Sequence, residues 1–265
     1  MALIHHVVRG DGQPPVVLVH GFACAHDDWA AQIAHLSPHH QTIAVDLRGH
    51  GQSAGSPDEC SIERYGADVA EVMHALNSRA AVLVGHSMGC RVVIEAALQA
   101  PGRVAGVVLV DGSQFAAAMS DVFRTAFASP DGFSTLTERM FRDMFTAKSD
   151  AATAASVVTR ARRTPRDIGE KMLLDLTRYD ANRLTVALAE LRVPVLAIQS
   201  TYANERRERQ SLRTGETTPF LDMLRGRIPS VRIEIIADSG HFPQIDEPAR
   251  VNALLRGFIA ELPIR

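Results

Sequence analysis

Residues 84–90 read VGHSMGC and lie between a short apolar run and a helical pattern. The run before them, AAVLV at 80–84, is typical of a strand that is buried on both faces. Ser87 thus stands in G-x-S-x-G between a strand and a helix, where two glycines avoid collisions at a sharp turn. The turn presents the hydroxyl beside a helix N-terminus that favours negative charge. We predict that Ser87 is a nucleophile rather than part of a purely structural turn.

Further apolar runs, rich in valine and isoleucine, alternate with helical patterns along the rest of the chain. The runs occupy residues 16–19, 42–45, 104–110, 193–198 and 231–236, and the helical patterns lie near 27–36, 62–77, 88–100 and 246–262. Buried strands that alternate with helices predict an α/β fold with a doubly wound, mostly parallel sheet.

The region from about residue 115 to residue 191 contains no strand-like run. It has Phe and Met at helical spacing instead, as at Phe123 and Phe127, and predicts four or five helices inserted between two strands. The aromatic side chains could merely pack these helices together, or the helices could also cover a site at the carboxyl ends of the strands. We predict a core at 1–114 and 192–265 and a helical cap at 115–191.

Composition narrows the function classes. The chain has 265 residues, 46% hydrophobic, with a formal net charge of −2 and a pI of about 6.6, which favours neither nucleic acid nor a membrane surface as a partner. No apolar run approaches the roughly 20 residues that span a bilayer, and no signal peptide is evident. Three cysteines fit reduced thiols, and the histidines lack zinc-site spacing. We expect a cytoplasmic protein with a small-molecule substrate, no metal and no cofactor, and leave a homodimer open.

A serine hydroxyl needs a base to take its proton before it becomes a good nucleophile. His241 stands in DSGHFP, at 238–243, after the last predicted strand and before the final helix. A histidine in a loop is often only a surface residue, but this position downstream of Ser87 predicts the base.

The segment HGF at 20–22 follows the first predicted core strand. The backbone N–H groups of Phe22 and Met88 could both point to the place where an oxyanion forms, so we predict that they bind it. His20 is expected to shape this turn. Candidates for the substrate pocket are His20, His86, Gln114, Tyr202 and Phe242.

Four motifs in this order, HGF at 20–22, DLRGHGQS at 46–53, GHSMG at 85–89 and SGHFP at 239–243, resemble the α/β-hydrolase superfamily. The resemblance runs from about Pro14 to Leu262 and implies a sheet of about seven or eight strands with an inserted cap. It is specific for the fold and not for the reaction, because the superfamily contains esterases, lactonases, thioesterases, peroxidases, lyases and cofactor-free dioxygenases.

The acid of a serine–histidine–acid triad is not where the resemblance usually implies it. That loop reads QSTYANERR at 199–207 and has no aspartate. Some members of the superfamily carry the acid after the preceding strand, which here ends at Val110 and is followed by Asp111. An unpaired carboxylate at a buried strand end is costly, and pairing with His241 would satisfy it. We predict Asp111, with Glu205 or no acid as alternatives; Asp111 could also only cap the segment after it.

The loop at 199–218 is long and lacks a core-like run, which is typical of functional or mobile loops. Tyr202 in this loop could line the pocket or could merely pack its ring.

The sequence favours a serine hydrolase that cleaves a carboxylic ester or lactone of a small, largely apolar compound through an acyl-enzyme. The alternative is a cofactor-independent dioxygenase that uses a His–Asp pair to deprotonate a hydroxylated heteroaromatic of the quinolone type. A non-enzymatic receptor or scaffold is the third hypothesis, which the retained serine, histidine and acid disfavour.

Overall fold

The computed structural model describes residues 3–204 and 208–263. Within these residues, seven strands form one sheet in the order β1-β3-β2-β4-β5-β6-β9, and two further strands form a separate antiparallel pair. The strands are β1 (His6–Arg9), β2 (Val16–Val19), β3 (Thr42–Val45), β4 (Ala81–His86), β5 (Val104–Val110), β6 (Val195–Gln199), β7 (Thr201–Ala203), β8 (Arg209–Ser211) and β9 (Arg232–Ile235). Only β1 runs antiparallel in the large sheet, so the prediction of a mostly parallel sheet is confirmed.

Helices connect these strands. They are α1 (Ala30–Leu36), α2 (Ile62–Ala75), α3 (Met88–Gln99), α4 (Met119–Phe127), α5 (Gly132–Arg142), α6 (Ala151–Ala161), α7 (Arg166–Asn182), α8 (Leu184–Glu190), α9 (Pro219–Arg227), α10 (Pro243–Asp246) and α11 (Pro248–Glu261). Short 3-10 helices occupy His26–Trp29 and Pro57–Glu59.

Both faces of the central strands are covered. In β2, Val17 and Val19 pack into a large apolar cluster with α2, α3 and the inserted helices, whereas Val16 and Leu18 pack with α1 and α11 on the opposite face. All four side chains are fully buried, because successive residues of a strand point to opposite faces. This explains why the central strands are continuous apolar runs, and it confirms the doubly wound arrangement.

Strand β1 was not predicted from the sequence. It pairs antiparallel with β3 at the edge of the sheet, and its four residues HVVR are only partly buried or exposed. An edge strand with one half-solvated side needs no continuous apolar run, so its sequence signal is weak.

Residues 112–194, all of which the structure describes, contain five helices between β5 and β6, as predicted. Some aromatic side chains do pack the helices together: the rings of Phe123 and Phe127 stack with centroids 6.1 Å apart. The division into a core and a cap stays a prediction. Among the described residues, no helix is both long enough and apolar enough to cross a membrane.

Candidate active site

Ser87 occupies a sharp turn between the end of β4 and the start of α3. Its backbone is strained, with φ 53° and ψ −113°. A Cβ on Gly85 would lie 2.2 Å from the carbonyl oxygen of Gly89, and a Cβ on Gly89 would lie 2.5 Å from that of Val19. Both positions therefore require glycine. The Ser87 amide donates a 2.9 Å hydrogen bond to the carbonyl of Val110, which ties the turn to the neighbouring strand.

Three side chains from distant parts of the chain form a continuous series of hydrogen bonds. Oγ of Ser87 lies 2.9 Å from Nε2 of His241, and Nδ1 of His241 lies 2.5 Å from Oδ2 of Asp111. His241 and Asp111 are each 1% exposed. The structure therefore brings together the serine, the histidine and the preferred acid.

The Asp111 carboxylate is held by the segment that follows β6. Its Oδ1 accepts 2.7 Å bonds from the amides of Ser200 and Thr201, and its Oδ2 accepts a 2.5 Å bond from the Thr201 hydroxyl. Burial raises the pKa of this carboxyl. The effect of burial is outweighed by the hydrogen bond and charge of His241, by the charge of Arg209 and by the hydrogen bond from Thr201. The net pKa of Asp111 is lowered to about 2. Asp111 is thus ionised at neutral pH.

His241 is neutral at neutral pH. Burial lowers its pKa, the charge of Arg209 lowers it further, and the interaction with Asp111 raises it, with a net value of about 4. With Nδ1–H directed to Asp111, Nε2 carries the lone pair that faces Ser87. This arrangement allows proton transfer from a hydroxyl to the imidazole.

Phe22 and Met88 lie beside the serine. Both line the same pocket as Ser87. A Cβ on Gly21, the residue before Phe22, would lie 3.1 Å from Cβ of Ser87. The oxyanion-binding role of these two amides stays a prediction.

The pocket that contains Ser87 has a volume of about 440 Å³ and lies between the sheet and the inserted helices. Its wall is largely apolar, with side chains that include Phe115, Met119, Phe123, Leu136, Met140, Phe141, Met144 and Phe242. Among the described lining residues, the charged side chains other than histidine are Arg91, Arg139, Asp143 and Arg209.

Three of the predicted pocket residues, His86, Gln114 and Phe242, line this pocket. Nε2 of His86 donates a 2.7 Å bond to the carbonyl of His241, and the two rings are 4.8 Å apart. His86 therefore holds the backbone of the residue that carries the base.

The other two predicted pocket residues lie outside the lining. His20 is fully buried; its Nδ1 bonds the carbonyl of Gly21 at 2.7 Å, and its Nε2 accepts from the amide of Leu47 at 3.0 Å, so it shapes the turn as expected. Tyr202 is the central residue of β7, and its neighbours Thr201 and Ala203 reach Asp111 and the pocket. Because side chains alternate along a strand, Tyr202 points away from the site.

The sequence predicts one long loop at 199–218, but the structure has a strand pair within this segment. β7 and β8 pair antiparallel, with Thr201 opposite Ser211 and Ala203 opposite Arg209. The alternative acid Glu205 lies outside the described residues.

Sequence reasoning missed Thr201 and Arg209, which both reach the Asp111–His241 pair. No motif marks a threonine or an arginine for such a role. The one signal in the sequence is the absence of an aspartate from this segment. This absence indicates that β5 supplies the acid and that residues of this segment support it.

Among the described residues, one histidine–carboxylate group could hold a metal ion, formed by His5, His26 and Asp46. Nδ1 of each histidine already bonds the Asp46 carboxylate, at 3.0 and 2.9 Å. None of the three lines the pocket that contains Ser87.

Comparison with known proteins identifies the family. The model of the "Alpha/beta hydrolase family" matches residues 16–254, most of the chain. The chain belongs to the α/β-hydrolase family. The sequence-based resemblance, the fold and the expectation of an enzyme of this family are thereby confirmed.

Individual relatives of this α/β-hydrolase have diverse activities. The chain is 27% identical over 96% of its length to the dihydrolipoyllysine-residue acetyltransferase component of the acetoin cleaving system of Cupriavidus necator, and it spans 65% of that protein. It is 31% identical over 108 residues, 41% of each chain, to an (E)-2-((N-methylformamido)methylene)succinate hydrolase of Acinetobacter baylyi. In fold it is similar to an enol-lactonase of Burkholderia xenovorans, with a TM-score of 0.80, 22% identity and coverage of 97% and 96% of the two chains.

Proposed function

We propose that this α/β-hydrolase cleaves a carboxylic ester or lactone of a small, largely apolar compound through an acyl-enzyme. The observation that carries the proposal is the series of hydrogen bonds from Ser87 through His241 to Asp111, at 2.9 and 2.5 Å. Ser87 and His241 line a mostly apolar pocket. One hydrolase among the sequence relatives and a lactonase of similar fold support it.

In the proposed reaction, Oγ of Ser87 attacks the carbonyl carbon while Nε2 of His241 takes the hydroxyl proton. The imidazolium that forms is stabilised by Asp111. The N–H groups of Phe22 and Met88 bind the negative oxygen of the tetrahedral intermediate, a contribution of about 10²–10³ in kcat for each such donor in serine hydrolases.

Collapse of the intermediate breaks the bond between the carbonyl carbon and the alkoxide oxygen. His241 returns its proton to that alkoxide, which leaves from an ester and stays tethered in a lactone. Water then attacks the acyl-enzyme with His241 again as the base, and the acid is released. The apolar wall favours acyl compounds over sugars or phosphates.

Labelling with a fluorophosphonate, which reacts with activated serines, tests the proposal. We expect a label on Ser87, located by peptide mass spectrometry, that is strongly reduced in Asp111→Asn and retained in Glu205→Gln. An ester and lactone panel then measures turnover. A folded protein whose Ser87 stays unlabelled and that cleaves no ester contradicts the hydrolase; oxygen uptake with hydroxylated heteroaromatics would then support the dioxygenase alternative.

A further inference from the structure

Arg209 brings a guanidinium to the pocket wall beside the His241–Asp111 pair. Its Nη1 donates a 2.7 Å bond to Oγ1 of Thr201 and lies 3.0 Å from Nδ1 of His241 and 3.7 Å from Oδ2 of Asp111. The Arg209 side chain is 20% exposed and lines the same pocket as Ser87. The guanidinium is therefore within reach of a bound substrate.

The carboxylate of Asp111 is already committed to other donors. It accepts from the amides of Ser200 and Thr201, from the Thr201 hydroxyl and from Nδ1 of His241, which together use about four acceptor sites, the capacity of a carboxylate. Nδ1 of His241 donates its hydrogen to Asp111. The 3.0 Å contact between this nitrogen and Nη1 of Arg209 is therefore a contact between two hydrogen-bond donors. Among the described residues, Asp111 is therefore the only carboxylate within 4.0 Å of the Arg209 guanidinium, at 3.7 Å, and Arg209 shares it with His241.

Arg91 lines the same pocket, and its guanidinium, unlike that of Arg209, is neutralised by a carboxylate. Arg91 is 2% exposed and bonds Asp180 through Nε at 2.7 Å and Nη2 at 2.6 Å, a bidentate ion pair. Burial lowers the pKa of Arg209 more than Asp111 and Asp143 raise it, so its charge is incompletely compensated. Asp143 is exposed and, among the described residues, forms no ion pair with Arg209 within 4.0 Å.

We propose that Arg209 binds a carboxylate of the substrate, so that the preferred ester or lactone carries a carboxylate a few bonds from the scissile carbonyl. The inference rests on the proposed ester or lactone hydrolysis and adds the substrate class. A guanidinium with free N–H groups matches a carboxylate in geometry and charge. The substrate carboxylate must lie only a few bonds from the scissile carbonyl, because Arg209 and Ser87 contact the same imidazole ring.

Such a substrate also makes His241 a stronger base. The charge of Arg209 lowers the pKa of His241, and a carboxylate bound to Arg209 offsets that charge. Among the described residues, the charged and titratable groups that face His241 or line the pocket beside it include Asp111, Arg209, His86, Arg91, Arg139 and Asp143. The anionic substrate would therefore shift the acid limb of kcat to higher pH than the acid limb of kcat/KM.

The test uses two esters of equal chain length, para-nitrophenyl hydrogen glutarate and para-nitrophenyl pentanoate. We expect the wild-type ratio of kcat/KM, glutarate over pentanoate, to fall about 100-fold in Arg209→Gln, with partial recovery in Arg209→Lys. The matched control is Arg163→Gln, at an exposed guanidinium outside this pocket, where we expect a change of less than about threefold. A ratio that is unchanged in Arg209→Gln, or that falls equally in Arg163→Gln, overturns the inference.

A binding measurement separates this inference from the proposed function. Calorimetric titration of Ser87→Ala with methyl hydrogen glutarate needs no turnover, and we expect at least tenfold weaker binding in Ser87→Ala/Arg209→Gln. If fluorophosphonate labels Ser87 and neutral esters are cleaved without preference for the carboxylate, only the inference fails. If Ser87 is unlabelled and no ester is cleaved, the proposed hydrolysis fails, and the titration still decides whether Arg209 binds carboxylate.

Discussion

The turn at Ser87 and the β7–β8 hairpin both contribute to the same site, but they are built in different ways. At the turn, backbone atoms approach so closely that Gly85 and Gly89 leave no room for a Cβ. At the hairpin, side chains act: Thr201 bonds Asp111, and Arg209 bonds Thr201. The nucleophile is thus positioned by local sterics, whereas the acid and its electrostatics depend on long-range hydrogen bonds.

The largest expected effect is at the turn itself. Ser87→Ala removes the nucleophile and should lower kcat/KM for esters by about 10⁴-fold or more, the magnitude typical of serine hydrolases. Steady-state kinetics with para-nitrophenyl esters measures the loss. Retention of near wild-type turnover would show that Ser87 is not the nucleophile.

The steric character of the turn is tested by adding one methyl group. Gly89→Ala should lower the free energy of unfolding by about 3 kcal/mol, because its Cβ would lie 2.5 Å from the carbonyl of Val19. The matched control is Gly257→Ala in α11, where a Cβ meets nothing within 4 Å and we expect stabilisation by about 0.5–1 kcal/mol. Urea unfolding measures both; equal effects would argue against close packing at the turn.

The hairpin is tested by removing one hydroxyl. Thr201→Val deletes the donor to Asp111 and the acceptor for Arg209, so we expect about tenfold lower kcat/KM and a loss of about 1–2 kcal/mol in the free energy of unfolding. The exposed Thr214→Val provides the control and should change neither quantity appreciably. A silent Thr201→Val would assign the support of Asp111 to the backbone amides alone.

The electrostatic contribution of the hairpin appears in the pH profile. The pKa of His241 is about 4, so kcat/KM for a neutral ester should fall on the acid side near pH 4 rather than near the ordinary 6.5. Arg209→Gln removes a positive charge beside the imidazole, and we expect the acid limb to move upward by about one pH unit. A downward shift, or none, would contradict the described position of the guanidinium.

The smallest expected effect is at the exposed Asp143, whose negative charge partly offsets Arg209 across the pocket. Asp143→Asn should raise the preference for the glutarate ester over the pentanoate ester by about two- to threefold at low ionic strength. Because exposed charges are screened by salt, the gain should largely disappear at about 1 M salt. A gain that persists in high salt would indicate a rearranged pocket wall.

The sequence predicted the parts of this fold that leave a periodic or motif signal. The buried parallel strands appear as apolar runs because both of their faces are covered, and the helices between β5 and β6 appear through aromatic spacing. Strand β1 and the hairpin were missed, because partly exposed strands of three or four residues carry little pattern. The sequence leaves open whether Tyr202 lines the pocket for the same reason: without the hairpin, the orientation of its side chain cannot be derived.

Local sequence is sufficient to place Ser87 in its turn, because the close backbone contacts there require glycine on both sides of it and leave a readable motif. It also determined the family, through motifs that follow strand ends. The pairing of Asp111 with His241, 130 residues away in the chain, and the contact of Arg209 with His241 become visible only in the folded chain. The physical reason is that hydrogen bonds between distant side chains depend on where strands and hairpins end in space, which no local pattern of residues records.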